Sequence, residues 1–391
     1  MTAPLKIMLV AGEPSGDALG AGLARALRAR LGPDGVRFVG VGGPRMAAEG
    51  VPSPFDIAEL SLFGLVELFA SARRVYRRID QTVALALAEQ PDAVVLIDAW
   101  GFTVRVAKRL RRRAPRLPLV KYVAPQVWAS RAGRTRELAR VADHVLTLFA
   151  FEPPLFEAVG LPATFVGNPV LSRDPSGADP AGLRAAIGAA DKPILLLLPG
   201  SRRGEVERLL PRFEAAVSLL KADRPDLRLV IPVADAVADR VKAAVAGWSC
   251  PATIVEGEAA KYDAMAAATA ALACSGTVTT ELAMAGCPMV VAYRVAPVTA
   301  VVARIIVRTR FATLFNIAAG RAVAPELIQE ACTGPALAAA VAPLLDDPRL
   351  REAQAQAQAE ALVKLGRGVA DPAEKAADVV LQVIANARKR A

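Results

Sequence analysis

The chain has 391 residues, 54% hydrophobic but only 5% aromatic, and a formal net charge of +10. That length accommodates two domains with separate cores, and a bias toward Ala, Leu and Val suits helices packed on parallel strands, so a single small module and extensive disorder are both excluded. The positive charge implies attraction to polyanions, whether nucleic acid, an anionic membrane or phosphorylated substrates.

Cys250, Cys274, Cys287 and Cys332 form no CxxC pair, which argues against a zinc site or disulfide framework and for a reducing compartment. His144 is the single histidine, so a His-rich metal cluster is impossible; nothing around it resembles a nucleophile elbow, and a structural role is expected. The first apolar run is too short for a secretory segment, and no window reaches about 18 uninterrupted apolar residues, so no membrane-spanning helix is expected.

In chain order, Lys6 to Ala11 reads as a buried strand, 12–17 (GEPSGD) as a loop with Asp17 as N-cap, and Ala18 to Leu31 as a helix striped by Leu19, Leu23, Leu27 and Leu31. The loop is not GxGxxG, so a dinucleotide fingerprint is absent. Val36 to Val41 is a second strand, ending in Gly42-Gly43-Pro44. Residues 59–78 place Leu62, Phe63, Leu65, Val66 and Phe69 around a helix ahead of Arg73, Arg74, Arg77 and Arg78; this reads either as an interfacial membrane anchor or as a buried helix with a charged exit. Ala93 to Ile97 is an apolar strand that delivers Asp98, a candidate general base or, alternatively, a cap for the helix from Phe102. Further strands follow at Leu119 to Val123, Val145 to Phe149 and Thr164 to Val166, completing a doubly wound domain, with 172–192 as linker and short helix.

The second half opens on Ile194 to Leu198, five apolar residues suited to a central strand, then Pro199-Gly200-Ser201 and a helix entered through Arg202 and Arg203. A strand feeding a helix through a small-residue turn aims free N–H groups at whatever lies above it, and the arginines invite an anion; an ordinary turn with solvated arginines is the alternative. Strands at Leu227 to Pro232, Thr253 to Val255 and Ala270 to Cys274 follow. Ser275-Gly276-Thr277 then repeats the central design, with Thr277 as cap and Glu281 one turn in, facing a ribose or merely complementing the helix dipole. Pro288 to Tyr293 is a strand, Val298 to Ile306 a helical stripe and Pro325-Glu326-Leu327 a helix start; from Gly334 the chain reads as helical to its end.

Eight separated stretches carry a resemblance: AGEPSGDALGA at 11–21, GVGGPRM at 40–46, LIDAWGF at 96–102, APQVWASR at 124–131, GNPV at 167–170, LPGSRRGEV at 198–206, SGTVTTELAMAGCPMVVAYR at 275–294 and NIAAGRAVAPELIQ at 316–329. Together, in this order, they resemble the lipid-A-disaccharide synthases. The resemblance implies an α/β GT-B fold, two Rossmann-like doubly wound domains facing across a cleft: an acceptor and membrane-facing domain over 1–172, a UDP-sugar-binding domain over 190–368, and a C-terminal helix over 369–391 that in many such folds packs back on the first. It implies an inverting glycosyltransferase of lipopolysaccharide biosynthesis that condenses UDP-2,3-diacylglucosamine with 2,3-diacylglucosamine 1-phosphate (lipid X). Asp98 would be the base, with Glu13, Ser15 and Asp17 on the acceptor side. Gly200, Ser201 and Arg202, with Ser275, Gly276 and Thr277, would hold the nucleotide diphosphate, Glu281 the ribose, and Asn316 would lie near the donor.

No metal or cofactor is implied, because helix N-termini and arginine supply the positive charge. The acyl-bearing substrates turn Leu62 to Phe69, with Arg73 and Arg74, into the expected contact with the anionic inner-membrane surface, giving a cytoplasmic, peripheral location. A homo-oligomer is allowed. The alternatives are another GT-B UDP-sugar enzyme, an epimerase or N-acetylglucosaminyl transferase, or a non-catalytic basic membrane-binding module; scarce aromatics argue against nucleic acid. The chain departs from the family pattern at Ser130, where Trp is usual, and at Phe315, where Pro is usual.

Overall fold

A computed structural model describes residues 4–60, 68–172, 177–296, 300, 309–368 and 371–390. The chain forms two compact units, residues 1–172 with 369–391, and residues 173–368.

The first unit runs β1 (Leu5–Ala11), α1 (Pro14–Leu31), β2 (Val36–Val41), α2 (Pro44–Ala48), α3 (Leu68–Glu89), β3 (Ala93–Ile97), α4 (Trp100–Arg113), β4 (Leu119–Tyr122), α5 (Arg134–Ala139), β5 (His144–Thr147), α6 (Pro153–Glu157) and β6 (Ala163–Phe165). All its strands are parallel, in the order β2-β1-β3-β4-β5-β6. Parallel strands need helical crossovers, which cover both sheet faces and explain the unbroken apolar runs. On one face Met8, Val10, Val94 and Leu96 pack with Val106 and Leu110 of α4; on the other Ile7, Leu9, Val95 and Ile97 pack with Leu23 and Leu27 of α1. The last helix of the chain, Pro372–Arg390, joins this second core through Ala376, Val380 and Ile384 and is tied to α1 by the Arg30–Asp378 ion pair at 2.8 Å. His144 pairs with Thr164 across β5 and β6 at 2.9 Å.

The second unit runs α7 (Pro180–Ala186), β7 (Ile194–Leu198), α8 (Arg203–Asp223), β8 (Arg228–Val233), α9 (Ala238–Val245), β9 (Thr253–Glu256), α10 (Glu258–Ala267), β10 (Ala270–Cys274), α11 (Thr277–Met284), β11 (Met289–Tyr293), α12 (Leu314–Ala319), β12 (Glu326–Ile328), α13 (Gly334–Asp346) and α14 (Pro348–Leu365). Its parallel order, β12-β11-β10-β7-β8-β9, is the dinucleotide-fold order read from the far edge. In each sheet the strand order reverses once, between β1 and β3 and between β7 and β10. Open α/β sheets bind ligands outside the carboxyl ends of the strands at such a point.

Several expected elements differ. The stretch expected to start a helix at Pro325 is instead strand β12, with Glu326 registered against Val291 of β11; its pattern was too short to distinguish a strand from a helical turn. Helix α10 was missed because its alanine-rich sequence carries no apolar stripe. The expected stripe at Val298 to Ile306 lies almost wholly outside the described residues. So do Leu62, Phe63, Leu65 and Val66; Phe69 falls in the first turn of α3, and Arg73 and Arg74 are exposed on it. No helix among the described residues is long and apolar enough to cross a membrane.

Candidate active site

At the β1/β3 switch point the α1 N-terminus meets the turn that leaves β3. Proline occupies the first turn of α1, where its missing N–H costs nothing, and Glu13 is the extended N-cap residue. The approach is close: a Cβ on Gly12 would lie 2.9 Å from Ala99 Cβ, and one on Gly16 would lie 3.3 Å from Ala11 Cβ and 3.5 Å from Asp98 Cβ. Small residues at 12 and 16 thus let the helix end reach Asp98.

Asp98 and Ala99 both take left-handed backbone angles, φ 48° and 38°. Residues bearing a Cβ adopt these rarely and at some cost, so the surroundings must hold them. Asp98 does not cap α4; Ala99 is the residue preceding that helix, and no side chain caps it. The half-buried Asp98 carboxylate instead accepts a hydrogen bond from Ser15 Oγ at 2.9 Å. Glu13 and Ser15 are exposed at the same place.

On the acceptor side the structure buries Asp17, expected at the surface of the site, and adds one residue, Lys121. Asp17 is buried, and its carboxylate accepts from the backbone N–H of Gly43 (2.7 Å), Arg45 (3.0 Å) and Met46 (3.0 Å). It therefore caps α2 and pins the loop after β2, and does not line an acceptor surface. Lys121, unflagged in the sequence, lies buried in mid-sheet. Its Nζ donates to the Asp98 carbonyl and, at 3.0 Å, to Thr103 Oγ1. Burial pushes its ammonium down to about 7, against the opposing pull of Asp98 and Glu13. The available signal was one lysine in the apolar run LVKYV.

In the second unit a cavity of about 540 Å³ lies over the β7/β10 switch point, lined by Gly200, Ser201, Arg202, Ser275, Gly276, Thr277 and Glu281. Gly200, at φ 107°, turns the chain into α8, whose N-cap is Arg202. Glu205 folds back to accept from Arg202 N–H at 3.3 Å. The second turn uses Gly276, not the expected Thr277, as the residue before α11. Two helix N-termini thus open on one cavity, a natural anion site. Lys261 of α10 adds a cation and donates to both Glu281 oxygens at 3.1 and 3.2 Å, while Tyr262 OH donates to Oε1 at 3.1 Å. The Cys274 thiol, pushed up to about 12 chiefly by burial, gives the wall an uncharged patch.

Asn316 does not line this cavity. It is fully buried: Oδ1 accepts from Val323 N–H (2.7 Å) and Ala324 N–H (3.1 Å), and Nδ2 donates to the Ala324 carbonyl (2.9 Å) and Glu326 Oε1 (2.8 Å). With both donors and both acceptor positions spent, it organises the turn between α12 and β12 and has no bond left for a ligand. Phe315, beside it, is buried too. Among the described residues no group of three or more His, Cys, Asp or Glu side chains is placed to hold a metal ion.

Two doubly wound parallel units in one chain, each gathering polar groups at its switch point, define a GT-B protein. The S. aureus MnaA–UDP co-structure shares this fold, with a TM-score of 0.62 at 15% identity, covering 98% of this chain and 97% of that one. A family model described as lipid-A-disaccharide synthetase matches residues 7–380, and the chain belongs to that family of glycosyltransferases. It is similar to the lipid-A-disaccharide synthase of Rhodospirillum centenum, at 49% identity over 97% of this chain and 95% of that protein. That of Paramagnetospirillum magneticum is 46% identical over 98% and 99%.

Proposed function

We propose that the protein joins UDP-2,3-diacylglucosamine to 2,3-diacylglucosamine 1-phosphate, releasing UDP with inversion at the donor anomeric carbon. Asp98 takes the proton of the acceptor 6-hydroxyl as that oxygen attacks C1 of the donor. The bond from C1 to the diphosphate breaks on the opposite face, so the α-linked donor becomes a β-1,6-linked disaccharide. Ser15 orients the carboxylate, and Glu13 lies beside it. In the second unit the N-termini of α8 and α11, with Gly200, Ser201, Arg202, Ser275, Gly276 and Thr277, receive the charge that develops on the leaving diphosphate. Glu281 accepts the ribose hydroxyls.

The observation that carries this reading is the Asp98 carboxylate at the β1/β3 switch point, held by Ser15 and not consumed in a helix cap. The test is product analysis in detergent micelles with the diacylated UDP-sugar, with and without the acceptor. Disaccharide and UDP are expected only when both are present. UDP release without disaccharide would mean another acceptor, and epimerised sugar would favour the epimerase alternative.

We further infer docking on the cytoplasmic face of the anionic inner membrane. The exposed Arg73, Arg74 and Arg77 on α3 support it, as do Arg105 and Arg109, whose guanidinium carbons lie 5.9 and 5.7 Å from the Tyr76 ring centre. A basic side chain near such a surface contributes about 1 kcal/mol, so the Arg73→Ser, Arg74→Ser double variant should bind phosphatidylglycerol vesicles roughly 30-fold more weakly. Sedimentation with vesicles checks this, and unchanged partitioning would rule these arginines out.

A further inference from the structure

Lys121 is the only buried lysine or arginine among the described residues. It stands on β4 directly between two apolar residues, Leu96 of β3 and Val145 of β5. An ammonium out of water is costly unless hydrogen-bonded and paired, and a methionine or leucine would fill this space without that cost. What Lys121 does with its charge is therefore the question.

Its partners belong to the turn that carries Asp98 and to α4, which follows it. Nζ donates to the Asp98 carbonyl and to Thr103 Oγ1. Thr103 Oγ1 is in turn 2.8 Å from that same carbonyl and 3.1 Å from the carbonyl of Ala99. The two residues so clamped are those with left-handed angles. The carbonyl is fixed by Lys121 from the sheet and by Thr103 from α4, and the carboxylate by Ser15. The charged groups that act on Lys121 are the carboxylates of Asp98 and Glu13.

We propose that Lys121 is a positioning residue for the reaction: its ammonium clamps the Asp98 carbonyl in the strained turn and so holds the Asp98 carboxylate where it meets Ser15. It touches no substrate. The inference rests on Asp98 being the base.

The test measures kcat and KM for the wild type, Lys121→Met and Thr103→Val, with UDP affinity and melting temperature recorded for each. Without the clamp the Asp98 turn can relax, so kcat in Lys121→Met should fall roughly tenfold, less than on loss of the base itself, with KM for the donor unchanged. Thr103→Val removes the other donor to the same carbonyl and should lower kcat in the same direction. UDP affinity should be unchanged in both. A folded Lys121→Met with the turnover of the wild type overturns the proposal, as does a loss of UDP affinity that matches its loss of turnover. Should that variant not fold, Lys121→Gln is held to the same criterion. Asp98→Asn run in parallel separates the two readings: full turnover there removes the base assignment, whereas an inactive Asp98→Asn beside wild-type turnover in Lys121→Met overturns only the role of Lys121.

Discussion

Asp98→Asn should lower turnover by about 10²–10⁴-fold while leaving UDP affinity unchanged, the range associated with loss of a positioned general base. The substitution preserves shape, and the amide oxygen can still accept from Ser15, which donates to Asp98 at 2.9 Å. It removes the ability to take a proton from a sugar hydroxyl at neutral pH. UDP affinity should survive because the lining of the cavity proposed for UDP comes from residues between Leu198 and Glu281, all in the second unit. Steady-state UDP release and calorimetric UDP titration check the two halves separately. Parallel loss of both would remove Asp98 from the role of base.

Gly200→Ala should weaken UDP binding by about 10- to 100-fold, with little change in fold. Gly200 sits at φ 107°, where a residue with a Cβ is strained by about 1–3 kcal/mol, and tenfold in affinity corresponds to about 1.4 kcal/mol. The added methyl carbon would lie 2.5 Å from Glu205 Oε2 and 2.7 Å from Glu205 Cβ. To relieve that contact, either the turn or Glu205 must move. Glu205 accepts the Arg202 N–H, so the N-terminus of α8 loses its cap and its aim together. Calorimetry with UDP reads the effect. Wild-type affinity in the folded variant would show that the turn is not part of the nucleotide site.

These two positions were open to sequence reading for different reasons. Asp98 ends an apolar run too short for a helix, and such a run in an α/β chain delivers its next residue to a sheet edge where ligands bind. Gly200 lies between a similar run and a helical stripe. Asp17 and Asn316, each inside a stretch that carries the family resemblance, read just as well as site residues. The chain around them consumed them: Asn316 spends all four bonds on 323–326, and Asp17 reaches 26 residues along the chain to Gly43. Which backbone N–H a carboxylate will find depends on which loops the sheet brings together.

The sequence by itself determined the doubly wound architecture, because strands buried on both faces must be continuously apolar and the helices between them must carry a stripe. It also determined where the small-residue turns interrupt that pattern. Only the tertiary structure decided the strand order, and with it the pairing of the β1 loop with the β3 turn and of the β7 loop with the β10 loop. Only packing revealed Lys121 under Asp98 and Lys261 against Glu281, separated in sequence by 23 and 20 residues. Periodicity records which face of an element is apolar. It carries no information on the partner a buried charge will meet, which is set by sheet register and helix placement.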